Sequence, residues 1–475
     1  MHAINNKSLV SFMVSDREEG LAVYNPATQE LLGYVPVSTE QEISDKVSRA
    51  HSAQKDWSKL AGKQRSEILQ RWFQLIIEYQ NDLAHLLTLE QGKPLAESKA
   101  EVFYGASFIE WFAEEAKRSY GETIPAPTPS KRMLTIKQPV GVACAITPWN
   151  FPIAMITRKA APALAAGCSF IVKPSELTPL SAFAIAELAY QAGVPQDILQ
   201  VVVGNSAEEV GRIFTSHPLI RKLSFTGSTR VGRILMRQSA EGIKRTSLEL
   251  GGNAPFIVFD DADIDAAVEG AIASKFRNAG QTCICANRFY VHSKVYDEFI
   301  AKFDTAVNQL KLGNGLEEGV NIGPLITPQA KQNIEALIES ALKQGAKKVS
   351  TQKPQKGQFL LPVILRDVTQ SMDIVSQEIF GPVAPVIAFE NEQQLIGMAN
   401  DTIHGLAAYF FTNNISRVWK VAEALEYGMV GINDSMISSE VAPFGGIKQS
   451  GIGREGARQG MDEYMDIKYL CFGGL

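Results

Sequence analysis

The chain has 475 residues, 45% of them hydrophobic, 20% charged and 8% aromatic. That composition excludes disordered, collagen-like and low-complexity classes and leaves room for about three structural units at roughly 150 residues each. Forty-six Lys and Arg against 51 Asp and Glu give a formal net charge of −5 with His neutral, too mild and too mixed a balance for a nucleic-acid footprint.

Five cysteines, at positions 144, 168, 283, 285 and 471, are too few and too unevenly spaced for a disulfide framework. The first twenty residues lack the basic flank and apolar run of a signal peptide, and no apolar stretch approaches the roughly 20 residues that cross a bilayer. The expected location is cytoplasmic, with no membrane association.

From residue 45 to 98, apolar side chains recur three and four apart, as at Ile68, Trp72, Leu75, Ile76 and Tyr79, which predicts two or three amphipathic helices. Pro125, Pro127 and Pro129 forbid helix over 121–129 and predict an extended crossing segment. Short apolar runs at 140–146, 170–172, 199–203, 222–225 and 246–250 then alternate with helical patterns at 154–166, 180–192, 207–214 and 230–239. This rhythm is that of a parallel sheet covered on both faces, so the fold class is α/β. A second strand-helix series starts at 255–259, continues through a helix at 263–276 and runs to about residue 430, predicting a second α/β domain.

Several turns carry candidate chemistry. Gly451-Ile452-Gly453-Arg454-Glu455-Gly456 matches GxGxxG formally, but no strand precedes it and only 475 − 456 = 19 residues follow, so it is expected to be a structural turn. Phe225-Thr226-Gly227-Ser228-Thr229-Arg230-Val231-Gly232 follows a strand and opens a helix. Gly227 permits a tight turn, and Ser228 with the first free N–H groups either holds a phosphate or merely caps the helix.

Cys283 lies in a polar Gly/Gln turn, Ala279-Gly280-Gln281-Thr282-Cys283, where N–H dipoles or cations that lower a thiol pKa from roughly 8.5 would make it a nucleophile. Cys144 and Cys168, in or beside apolar strands, read as packing residues. No metal site is expected, because a Cys283/Cys285 pair would need further ligands that the scattered cysteines and six histidines do not offer. Glu249 in Ser247-Leu248-Glu249-Leu250-Gly251-Gly252-Asn253 is a strand-end carboxylate, and Asn150 in Thr147-Pro148-Trp149-Asn150-Phe151-Pro152 is an amide placed to donate to an oxyanion. Lys173-Pro174-Ser175-Glu176 and Glu378-Ile379-Phe380-Gly381-Pro382 are two more such clusters.

In this order, and with Pro443-Phe444-Gly445-Gly446, these motifs resemble the aldehyde dehydrogenase superfamily from about Asn25 to the C-terminus. The resemblance implies a parallel-sheet NAD-binding domain (1–120 and 140–251), a catalytic α/β domain (252–455) and a small oligomerisation arm (121–139 and 456–475), assembled as a homodimer or homotetramer. It implies that Cys283 attacks an aldehyde carbon, that Asn150 with the Cys283 N–H holds the oxyanion, and that Glu249 activates the water that releases an acid. For the cofactor it implies Trp149, Gly227 and Ser228 near the pyrophosphate, Lys173 and Glu176 at the adenine ribose, and Glu378 with Phe380 at the nicotinamide end. A carboxylate such as Glu176 accepts from both ribose hydroxyls and repels a 2′-phosphate, so NAD is expected over NADP, although Lys173 and Arg212 could accommodate some NADP.

Within the superfamily, Ala154-Met155-Ile156-Thr157-Arg158-Lys159 and Ser274-Lys275-Phe276-Arg277-Asn278 resemble the succinate-semialdehyde dehydrogenases. This implies that Arg158, Arg277 and Ser438 receive the far carboxylate of a small semialdehyde. Glutarate semialdehyde, a methylene longer, is the nearest alternative, followed by a broader aldehyde range and, remotely, an inactive cofactor-binding protein. Asp434 departs from the pattern of the last pocket loop. Cys285 either packs or forms a reversible disulfide with Cys283.

Overall fold

The structure is a computed structural model that describes residues 4–15, 20–204, 206–349 and 357–474. The first twenty residues, for which the sequence offered no reading, therefore lie partly outside the described residues. After a hairpin of Gly20–Tyr24 and Leu31–Pro36 come four helices, Glu40–Trp57, Gly62–Glu78, Gln80–Gln91 and Leu95–Glu115. Thr39 and Glu42 form a reciprocal capping box at the first of them, and its buried stripe is Ile43, Val47, Ala50, Gln54 and Trp57.

A six-stranded sheet has the order Gly451–Ile452, Arg245–Glu249, Ile220–Thr226, Val142–Ile146, Ser169–Lys173, Leu199–Val201. All pairings are parallel except the one made by Gly451–Ile452. Ser169–Lys173 is buried at every position, and so is the helix Ala154–Ala166, as expected for a sheet covered on both faces. In register, Ile146 lies opposite both Lys173 and Phe225, and Thr226 opposite Glu249. The carboxyl ends of these strands thus meet along one edge, where open α/β sheets bind ligands.

A second, seven-stranded sheet has the order Lys347–Lys348, Val363–Arg366, Val383–Phe389, Ala286–His292, Ala254–Val258, Ala407–Phe411, Met429–Ile432, parallel apart from its first pair. Its aromatic core includes Phe256, whose ring packs tilted at 5.1 Å against both Phe289 and Phe411. The architecture is α/β, as the alternation predicts.

Residues of the proline-rich region and the C-terminal segment, far apart in sequence, share a third sheet in which Arg132–Pro139 pairs antiparallel with Met465–Phe472 and with Thr123–Ile124. Gly451–Ile452, which sequence placed at the end of the second domain, instead adds to the edge of the first sheet beside Leu248 and Glu249. Local pattern could not assign a two-residue strand whose hydrogen bonds all lie about 200 residues away. Among the described residues no helix is long and apolar enough to cross a membrane.

Candidate active site

Three strand-end turns and one loop converge between the two sheets. Glu249 is the last residue of Arg245–Glu249, and Asn150 sits in the turn after Val142–Ile146. Cys283 follows the helix Ile264–Phe276 and a short turn in which Asn278, Ala279 and Gly280 all have left-handed backbones, with φ of 51°, 54° and 75°. Two consecutive non-glycine residues in that region store strain that the surroundings must hold. Gly252 explains part of the Leu-Gly-Gly-Asn motif, because a Cβ there would stand 2.1 Å from the Cys283 carbonyl oxygen.

Cys283, Glu249 and Asn150 share one cavity of about 250 Å³ with Trp149, Gly227, Ser228, Glu378 and Phe380. Phe380 meets Trp149 edge-on at 5.6 Å. Ser228 is the N-cap of Thr229–Ala240, and its side chain accepts from the Val231 N–H. The Glu378 carboxylate accepts from the Gly252 N–H at 3.0 Å. Beyond the end of the next strand, Lys173 and Glu176 form an ion pair at 2.5 Å, while Arg212 pairs with Glu40.

The charge pattern is uneven. Both Glu249 oxygens and Asn150 Oδ1 are buried without a partner, and Asn150 Nδ2 donates to the Gln281 carbonyl at 2.9 Å. Burial, and then the neighbouring Glu455, push the Glu249 carboxyl well above the usual range against the pull of Arg158 and Lys159. Glu455 goes the other way. Burial opposes its ionisation, but Arg158 and Lys159, both bonded to it, hold it below the ordinary value. Burial and charge therefore move the two carboxyls of the cluster in opposite directions.

Burial also pushes the Cys283 thiol up to about 12, with Glu378 and Glu249 adding to the rise and Arg158 and Arg277 opposing it. The condition that sequence attached to a reactive Cys283, a lowered thiol pKa, is thus not met by the resting site. Burial outweighs the two neighbouring guanidinium groups. Glu378 rises to about 7 through burial, restrained by the Gly252 N–H and Lys275.

On the other side of the loop, Arg277 and Ser438 line a second, smaller pocket with Thr282, Ile284 and Tyr409. Ser438 Oγ is hydrogen-bonded to the Tyr104 hydroxyl at 2.5 Å. Arg158 sits apart from them, 1% exposed, with Nε donating to Glu455, its guanidinium 4.1 Å from the Phe444 ring and Nη2 unpartnered. Asp434 is exposed and accepts from the Met436 N–H at 2.8 Å. Cys285 is buried, its sulfur against the Lys275 and Ala286 carbonyls at 3.5 Å.

Sequence reasoning did not single out Glu455, Lys159, Tyr104, Lys93 or Glu101. Glu455 lay inside the segment set aside as a structural turn. Lys159 stood next to Arg158 in a quoted motif, and Tyr104 belonged to an unremarked helix.

The model of the aldehyde dehydrogenase family matches residues 12–470. A glutarate-semialdehyde dehydrogenase of Pseudomonas putida is 58% identical over 96% of this chain and 95% of its own length. The NADP(+) succinate-semialdehyde dehydrogenase of Escherichia coli (strain K12) is 57% identical over 96% and 95%. The crystal structure of succinate-semialdehyde dehydrogenase from Burkholderia pseudomallei superposes with a TM-score of 0.97 at 53% identity, covering 99% of this chain and 100% of that one. With two parallel-sheet units meeting at a shared cysteine, glutamate and asparagine, and with likeness along nearly its whole length, the chain belongs to the aldehyde dehydrogenase family.

Proposed function

We propose that this protein oxidises succinate semialdehyde to succinate, with Cys283 as nucleophile and NAD preferred over NADP. The observation that carries the substrate reading is the placement of Arg277 and Ser438 in one pocket on the same loop system as Cys283. A guanidinium and two hydroxyls, counting Tyr104, match a carboxylate; an uncharged aldehyde would leave the cation unpaired. Arg158, with Nε donating to Glu455, its guanidinium over the Phe444 ring and Nη2 without a partner, reaches the carboxylate through Nη2 in this reading. The test is the ratio of kcat/KM for succinate semialdehyde over butanal. A ratio above roughly a hundredfold supports the receptor, and a ratio near one leaves only the dehydrogenase.

Glutarate semialdehyde is the second reading, favoured by the Pseudomonas relative that carries that name. An extra methylene changes the transition-state energy by about 1 to 3 kcal/mol, so both substrates should be compared directly.

The residues suit a dinucleotide. The cavity offers a capped helix start at Ser228 for phosphate oxygens, the Trp149 and Phe380 rings as apolar walls, and the Glu378 carboxylate as an acceptor for hydroxyls. When bound, the nicotinamide supplies the two-electron acceptor for aldehyde oxidation. The protein's own part begins with removal of the Cys283 proton, for which the deprotonated Glu249 carboxylate in the same cavity is the base. Sγ then bonds to the aldehyde carbon, and the new oxyanion takes the second Asn150 Nδ2 proton and the Cys283 N–H. Glu249 then passes the proton it took from Cys283 to solvent, and after oxidation to the thioester its carboxylate takes a proton from water, hydroxide adds to the acyl carbon and the Cys283 thiolate leaves.

The NAD preference rests on Glu176. Lys173 offsets part of its charge, and the Escherichia coli relative is named for NADP(+), so the sharp test is Glu176→Ala. Its ratio of kcat/KM for NADP over NAD should rise, and an unchanged ratio rejects the role. For assembly, the outer strand Met465–Phe472 exposes Ile467, Tyr469 and Phe472, which supports a homodimer or homotetramer, readable by light scattering. The buried seat of Cys285 supports packing over a disulfide. Equal inactivation of wild type and Cys285→Ala by peroxide, equally reversed by reductant, would decide for packing.

A further inference from the structure

Under the recognition pocket lies a set of buried charges that none of the steps above uses. Lys93, 2% exposed, donates to Glu101 Oε2 at 2.5 Å and to the Asn150 carbonyl at 2.6 Å. Its ammonium lies 3.9 Å from the centroid of the Phe151 ring, and the Arg277 guanidinium lies 5.1 Å from that same ring. The other Glu101 oxygen accepts from the Ile153 and Ala154 N–H groups at 3.0 and 3.3 Å, at the start of Ala154–Ala166. Glu101 is therefore saturated.

Glu97, one helical turn earlier on Leu95–Glu115, is not. Its Oε2 accepts the Asn278 N–H at 2.8 Å, and the described residues offer it no second donor. Asn278 is the first left-handed residue of the turn and follows Arg277 directly. The bond thus ties the strained segment between the recognition arginine and Cys283 to a rigid helix. Strain of this kind persists only where the surroundings over-determine it.

We infer that Glu97 is a specificity-determining positioning residue: its carboxylate holds the turn that presents Arg277, and its charge sets how strongly that guanidinium attracts the far carboxylate of a substrate. The inference rests on the carboxylate-receptor reading of Arg277. The charged groups facing Glu97 are Lys93 from the preceding turn, Glu101 on its own helix and Arg277 from the loop. Burial raises its carboxyl to about 7, with Lys93, the Asn278 N–H and Arg277 pulling down and Glu101 pushing up. Below that pH the positive field of Arg277 is unopposed. Above it, ionised Glu97 cancels part of that field, so preference for a charged over an uncharged aldehyde should fall as pH rises.

The experiment is the ratio of kcat/KM for succinate semialdehyde over butanal, from about pH 6 to about pH 8, in wild type and Glu97→Gln. Cys283 and Glu249 serve the turnover of both aldehydes, and because Cys283 also feels the Arg277 charge, the wild-type profile is read against that of Glu97→Gln, in which those groups still titrate. Glutamine keeps an acceptor for Asn278 and removes the charge. The wild-type ratio should fall by about threefold to tenfold across that range, while the Glu97→Gln ratio stays at the wild-type low-pH level. A flat wild-type ratio, or a variant whose ratio falls in parallel, overturns the inference. Should Glu97→Gln fail to fold, Arg277→Leu takes its place, and its ratio should lose the pH dependence; a persisting dependence counts equally against Glu97. The two readings fail differently. A ratio near one at every pH removes the receptor itself, whereas a large but pH-independent ratio removes only Glu97.

Discussion

On the side of Cys283 where strand ends of both sheets meet, polar groups stand without partners: both Glu249 oxygens and Asn150 Oδ1. On the side built by Leu95–Glu115 and the Arg277–Gly280 turn, the buried Lys93 is mated internally with Glu101. An unpartnered buried polar atom costs about 1 to 3 kcal/mol, so the first region stores a cost that a ligand or a reaction intermediate relieves. The second region has already offset its desolvation and acts as a frame. Reactive groups are left wanting on one side, while on the other the geometry that aims them is satisfied in advance.

The strongest way to break this contrast is at the centre of the unsatisfied side. Cys283→Ser should lower kcat/KM at least about a thousandfold for every aldehyde while leaving NAD affinity, measured by fluorescence titration, unchanged. Near-normal turnover would end the nucleophile reading. Glu249→Gln should slow kcat by about 10² to 10⁴ and let the acyl-enzyme accumulate, which intact-protein mass spectrometry detects. Because the variant adds donors to an orphaned site, an unchanged rate would mean that the missing partners play no part in turnover.

The framed side should respond selectively. Arg277→Leu should lower kcat/KM for succinate semialdehyde by about 10-fold to 100-fold and leave butanal nearly unaffected, as loss of a charge-assisted pair predicts. An equal loss for both substrates would make Arg277 structural. The pH profile sharpens the comparison further. Burial raises both Cys283 and Glu249, and in the proposed acylation the pair sheds one proton in all, since the Glu249 carboxylate takes the one that Cys283 gives up. The pre-steady-state rate of acylation should therefore rise with pH above neutrality, by close to tenfold per unit while the protonated forms dominate. A profile falling over that range would reverse the sign of the argument. Smallest of all, Tyr104→Phe removes one hydroxyl from Ser438 and should cost about twofold to tenfold in kcat/KM on the semialdehyde alone.

The parts legible in sequence are those whose signal is local. Strand-helix alternation located the helices Ala154–Ala166 and Leu180–Ala192 and placed Asn150, Glu249 and Ser228 at strand ends. A turn after a strand is written in adjacent residues. Gly451–Ile452 and Glu455 were missed because their partners, Leu248 and Arg158, lie hundreds of residues away, and reading the GxGxxG spelling as a structural turn did not reveal what the segment holds. Glu97 and Glu101 were invisible because charges at that spacing on an amphipathic helix ordinarily face water, and Lys93 because it lies in the turn before that helix. Here Lys93 and Glu101 are buried and Glu97 is partly buried, while Lys99 and Glu110 of the same helix stay exposed.

By itself, the sequence determined the α/β class, the two strand-helix units, the strand-end positions of Asn150 and Glu249 and the turn that carries Cys283 after a helix, since periodicity and turn chemistry act over a few residues. Tertiary structure alone decided that burial raises the Cys283 thiol, that the Glu249 and Glu455 carboxyls are pushed in opposite directions, and that Arg158 is bonded to Glu455 while Arg277 lines the pocket. Those outcomes depend on desolvation and on charges brought together from distant segments, and neither exists until the chain has folded.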